Sequence, residues 1–224
     1  MAELTLKTAK NTYKLLENSI HDFEKNADMN MSVLKVLDTM HQNENINIIK
    51  SILETSITLC FINLDISAAY RQYLSAQTHY EERYAMKCLN TIMSEGYKKI
   101  FGFTENKKSF WKQQIKRVVD KYPELHTEYD RITTSLSDLA KNNIFNKDMR
   151  DYSVHYDHDP RKVYDMLSKL SAEDVSDRFN HFYATITNIT ALNIEQMLDS
   201  NRAVKKKMQE YNMPSIQEYV DLCF

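Results

Sequence analysis

The stretch Ala85-Met86-Lys87-Cys88-Leu89-Asn90-Thr91-Ile92-Met93-Ser94-Glu95-Gly96-Tyr97-Lys98-Lys99-Ile100-Phe101-Gly102 decides the fold class. Ala85, Cys88, Leu89, Ile92, Gly96 and Ile100 recur every three or four residues, so a helix gathers them on one face. Gly96 lies on that apolar face, where a missing side chain lets another helix approach closely. A glycine inside a helix costs roughly 1 kcal/mol relative to Ala, so tight packing is the expected compensation. Gly102 then reads as the C-terminal cap.

The rest of the chain agrees with a helical reading. Only 2 Gly and 3 Pro occur in 224 residues, too few turn-formers for a sheet protein with many hairpins. The common residue types are helix formers, and a hydrophobic fraction of 42% is ample for a core. The expected fold is all-α, an antiparallel bundle of long helices forming a single domain over residues 1–224. Cys60, Cys88 and Cys223 are odd in number and far apart, which points to reduced thiols in the cytoplasm and away from disulfides or a thiolate zinc site. The N-terminal residues lack the apolar run of a secretory signal, and no stretch approaches 18 apolar residues, so no membrane span is expected.

Patterning places helices at about 3–25 and 31–40, then a long helical region from 45 to 101, broken near Asp65. Ser109 reads as the N-cap of the next helix, whose buried stripe is Trp111, Ile115, Val118 and Tyr122. Pro123 interrupts, and a further helix reaches Lys141. Residues 142–147 read as a loop, with Asp148 capping a short helix that Asp159-Pro160 ends or turns. Ser171 opens the last long helix, to about Glu210, and Pro214 separates a short terminal piece.

Chemistry concentrates at Arg150-Asp151-Tyr152-Ser153-Val154-His155, followed by Tyr156-Asp157-His158-Asp159-Pro160. A guanidinium can hold a phosphate through a planar fork of donors, and an imidazole can move a proton at neutral pH. Together they suffice for metal-free cleavage of an RNA phosphodiester. With so many Arg and His in the chain, an Arg followed by a His four to six residues on is expected about 0.75 times by chance. Context therefore has to carry the reading.

The chain resembles the HEPN superfamily, which includes many bacterial RNases of toxin–antitoxin and abortive-infection systems. The Arg150–Asp157 run is the specific part of the likeness. Glu82-Arg83-Tyr84, the stretch from Ser94 to Phe103, and Lys108-Ser109-Phe110-Trp111 are similar to uncharacterised proteins of the abortive-infection type. The resemblance spans roughly residues 45–200. It implies a helical bundle that dimerises so that two motifs line one cleft, RNA as substrate, no metal or other cofactor, and an antitoxin or another protein as a further partner. It assigns phosphate stabilisation to Arg150 and proton transfer to His155. Where the family often carries Asn after the Arg, this chain has Asp151.

On a straight helix Arg150 and His155 project about 140° apart with a rise of about 7.5 Å, so a second protomer is expected to complete the pocket. Asp151 and His155 are i and i+4, so Asp151 can orient the imidazole and favour its protonated form. His155, Asp157, His158 and Asp159 also permit a metal reading, but no distant ligand accompanies them, and a solvated helix end is the better account. Lys147, Arg150, Arg161 and Lys162 balance Asp148, Asp151, Asp157 and Asp159, so the motif itself attracts no phosphate strongly.

Cationic help is expected from elsewhere. The chain's net charge is −2, yet residues 98–121 carry eight Lys/Arg against two acids, a local +6. Within it Lys108, Lys112 and Lys116 form a stripe at i, i+4 and i+8, joined by Arg117, as the candidate nucleic-acid-binding face; the bland alternative is a solvated helix face. Trp111 is expected in the core, and Lys205-Lys206-Lys207 is a weaker basic run. The competing reading of the whole chain is a non-catalytic helical protein-interaction module.

Overall fold

The computed structural model describes residues 2–102, 109–141, 159–169 and 171–210, and all the elements among them are helical. They form an all-α bundle. Helix α1 spans Ala2–Thr39, α2 spans Glu44–Ser75 and α3 spans His79–Phe101. A π-helical turn, Trp111–Ile115, runs into the short α4 (Lys116–Val119). A 3-10 turn, Pro123–Leu125, then leads into α5 (His126–Lys141). Helices α6 (Pro160–Ser168) and α7 (Ala172–Glu210) follow.

Several boundaries differ from the sequence expectation. Helix α1 is continuous where two helices were expected, because Ala27 and Asn30 are buried against α2 and Asn30 Nδ2 donates to Ser56 Oγ at 2.8 Å. The polar residues that suggest a break are absorbed into packing. Asp65 does not interrupt α2; it sits exposed on a continuous helix. The interruption falls at Ala76-Gln77-Thr78, where Thr78 Oγ1 accepts from the Glu81 N–H (3.2 Å) and the Glu81 carboxylate accepts from the Thr78 N–H (2.9 Å). That reciprocal pair is a capping box and starts α3. Pro160 begins a helix, while the short helix expected before it lies outside the described residues: Asp159 Oδ1 accepts from the Arg161 N–H, and a proline in the first turn forfeits no intrahelical bond.

Other expectations match. Gly102 caps α3 with φ 81° and donates its N–H to the Lys98 carbonyl. At Gly96 a Cβ would lie 3.2 Å from Phe182 Cζ and 3.3 Å from Ile62 Cγ2, so α2 and α7 pack tightly against α3 here.

Helix α2 is the axis of the bundle. It packs antiparallel against α1, with Arg71 over the Tyr13 ring near one end and Asn30 on Ser56 further along. It also packs against α3 and α7. Helix α7 runs antiparallel to α2, since Phe179 stacks on Tyr70 at 4.9 Å while Phe182 meets the level of Ile62. The core gathers Ile62, Ile66, Leu89, Met93, Trp111, Ile132, Leu136, Phe182, Ile186 and Ile189 from five segments. Contrary to the sequence expectation, α2 is long and apolar enough to cross a membrane, with a mean hydropathy of 1.4 over 18 residues. Because 61% of that window is buried inside the bundle, it has the character of a core helix.

Candidate nucleic-acid interface

The cationic face begins at Ser109. Its side-chain oxygen accepts from the Lys112 N–H (3.3 Å) and its carbonyl from the Gln113 N–H (3.0 Å), so it caps the helical turn that follows. The turn then widens: the Lys116 N–H reaches back to the Trp111 carbonyl, an i to i+5 bond. Trp111 anchors it. The indole is fully buried, stacks on Tyr129 at 4.6 Å with planes 3° apart, and donates Nε1–H to Thr133 Oγ1 at 2.7 Å. Ile115 and Val118 follow it into the core, with Tyr122 half-buried behind them. With those apolar side chains turned inward, Lys112, Lys116 and Arg117 stand exposed.

These cations line an open groove of about 570 Å³ with Gln113, Asp120, Lys121 and Glu44. Glu44 comes from the start of α2, held beside the groove because Lys121 Nζ donates to Asn45 Oδ1 at 2.8 Å and lies 4.0 Å from Glu44. A second tie is Gln114, whose Nε2 donates to Glu54 at 2.8 Å. Four cations against two carboxylates leave the groove positive, but unevenly so. Lys116 is paired with Asp120 at 2.7 Å, whereas Lys112 and Arg117 have no carboxylate partner among the described residues. The Lys112 ammonium lies 5.2 Å from the Phe101 ring centroid, and Lys99 approaches Phe110 similarly at 5.4 Å. A cation held over an aromatic face keeps its charge available to an incoming anion. Exposed charges of this kind attract polyanions and are screened by salt.

The structure therefore joins three of the four expected binding residues, Lys112, Lys116 and Arg117, in one groove. Lys108 lies outside the described residues, as do Arg150, Asp151 and His155. The possible metal cluster falls mostly outside them too; Asp159 is described and is engaged by Arg161 at 3.0 Å, which holds its carboxyl below the usual carboxylate range. Among the described residues no group of three or more His, Cys, Asp or Glu is arranged to hold a metal ion. Sequence reasoning missed Lys121, Gln113 and Glu44 as groove residues. Lys121 is off the i, i+4 stripe and enters only because the helix ends at Val119. Nothing in the sequence signals that Glu44 lies across from it.

No family model, curated protein or solved structure matches the chain.

Proposed function

We propose that this is a HEPN-type, metal-independent endoribonuclease, or an RNA-binding relative of one, acting as a homodimer in bacterial cytoplasmic defence or stress control. The Arg150-Asp151-Tyr152-Ser153-Val154-His155 run carries the reading, and the open cationic groove supports it by supplying the affinity that the charge-balanced motif lacks.

In the proposed reaction the ribose 2′-oxygen attacks the adjacent phosphorus and the bond to the 5′-oxygen breaks. The proton leaves the 2′-hydroxyl and one is delivered to the departing 5′-oxygen, with His155 as general base or acid. Asp151, four residues earlier in the sequence, orients the imidazole. Arg150 stabilises the charge that builds on the phosphoryl oxygens; losing one such donor costs roughly 10²–10³ in rate.

The test is cleavage of a defined RNA by wild type and His155→Ala, in the presence of a chelator. Wild type should cut RNA but not its 2′-deoxy counterpart, and His155→Ala should be nearly silent. Activity abolished by chelation and restored by a divalent ion would sink the mechanism. Reversing Lys108, Lys112 and Lys116 to Glu should weaken RNA binding and flatten its salt dependence, by roughly 0.7–0.9 in log–log slope for each phosphate no longer neutralised. Unchanged affinity and slope would return the groove to a solvated face.

A second reading, a non-catalytic protein-interaction module, is favoured by one observation: Asp120 and Glu44 stand inside the groove and offset half its cations. RNA binding too weak to detect at low salt would put that reading ahead.

A further inference from the structure

The two acids of the cationic groove are not equivalent. Asp120 is engaged, since both of its oxygens accept from the Lys116 ammonium at 2.7 Å. Glu44 is open. Its carboxylate accepts no hydrogen bond among the described residues, and the Lys121 ammonium, 4.0 Å away, donates instead to Asn45 Oδ1 at 2.8 Å. Glu44 is also the one lining residue, among those described, that comes from outside 112–121. It opens α2, whose first turn is fixed by the Asn43 side chain accepting from the Ile46 N–H at 3.0 Å. An exposed carboxylate therefore faces the groove from a capped helix end.

Toward a bare polyanion such a group is a liability, because it repels the phosphates that Lys112 and Arg117 attract. A carboxylate offers only acceptors, so apart from a cation it can hold only a hydrogen-bond donor. RNA carries such a donor on every sugar, the 2′-hydroxyl, and DNA has none there. Each ribose follows its phosphate along the strand, so a strand anchored on Lys112 and Arg117 carries its hydroxyls into the same groove.

We infer that Glu44 accepts a hydrogen bond from a ribose 2′-hydroxyl and sets the groove's preference for RNA over DNA. The inference rests on the reading of this groove as an RNA interface and is independent of the chemistry at Arg150 and His155. An acid in the first turn also favours its own helix end, but that role changes the stability of α2 and leaves the choice of sugar alone.

Equilibrium binding of one oligonucleotide sequence, made of A and C only, tests it with three sugars: RNA, 2′-fluoro RNA and DNA. The full chain carries His155→Ala so that the RNA stays whole. Fluorine in place of the hydroxyl keeps the RNA sugar pucker and removes the donor. At low salt RNA should bind roughly three- to tenfold more tightly than either of the other two. Glu44→Ala should tighten DNA and 2′-fluoro RNA, through lost repulsion, and bring all three together. Glu44→Gln, which keeps an acceptor, should retain part of the preference. Asp120→Asn removes an equal charge but no open acceptor, so it should tighten all three alike. An RNA preference unchanged in Glu44→Ala, or 2′-fluoro RNA binding as RNA does, would overturn the inference and leave the groove an RNA interface. Binding of none of the three would remove that interface and the inference with it.

Discussion

At the scale of single residues, Gly96 carries a close approach of α2 and α7 to α3. A Cβ there would press on Phe182, fully buried, and on Ile62, itself buried, so each would have to give by a few tenths of an ångström. For Gly96→Ala the gain in helix propensity, roughly 1 kcal/mol, offsets a contact short by only a few tenths of an ångström. Its urea midpoint should therefore move little. Gly96→Val adds two more methyl groups and should lose about 2–3 kcal/mol, as overpacked cores do. A Val variant as stable as wild type would mean that α7 can slide away from α3. Tyr97 and Tyr129 make a second residue-scale prediction. Burial pushes both phenols up to about 12, while Tyr97 donates to the Leu136 carbonyl at 3.0 Å and Tyr129 to the Trp111 carbonyl at 3.4 Å. The folded state thus holds its protons more tightly than the unfolded chain, whose tyrosines titrate near 10. Their contribution is complete below about pH 10 and is lost as pH rises towards 12. Unfolding midpoints measured at pH 9 and pH 11 should drop at the higher value, and Tyr97→Phe should reduce the drop.

At the scale of elements, what was legible depended on whether the signal was local. The 3.6-residue periodicity of α3, the cap at Gly102 and the cap at Ser109 are properties of a few adjacent residues, and the structure agrees with all three. The start of α3 carries a local signal as well, in Thr78-His79-Tyr80-Glu81, which the expectation of a break near Asp65 passed over. Thr78→Ala removes the side-chain half of that capping box and should cost about 1 kcal/mol in denaturant titration, with thermal unfolding lower accordingly. Stability unaffected by the substitution would show that packing alone sets the boundary between α2 and α3. Asn26 to Asn30 had the composition of a break, yet α1 runs through it. There the deciding partner, Ser56, is 26 residues away in sequence. The π turn at Trp111–Ile115 likewise has no local mark. It follows from seating an indole between Tyr129 and Thr133 while keeping Ile115 in the core.

At the scale of the whole molecule, the scarcity of glycine and proline settled the fold class, and the excess of lysine between 98 and 121 located the cationic face. Neither could show that Glu44 and Lys121 close the groove, because that depends on how α2 meets the end of α4. Trp111 has a consequence of a different kind. It is the sole tryptophan, fully buried, and next in sequence to groove residue Lys112. The protein therefore contains its own optical reporter: under 295-nm excitation the native emission comes from one dry indole at the root of the groove. Its spectrum should be blue-shifted and shift red on unfolding. An oligonucleotide that settles on Lys112 and Arg117 should change its intensity without any attached dye, and one that binds elsewhere should leave it dark to the event.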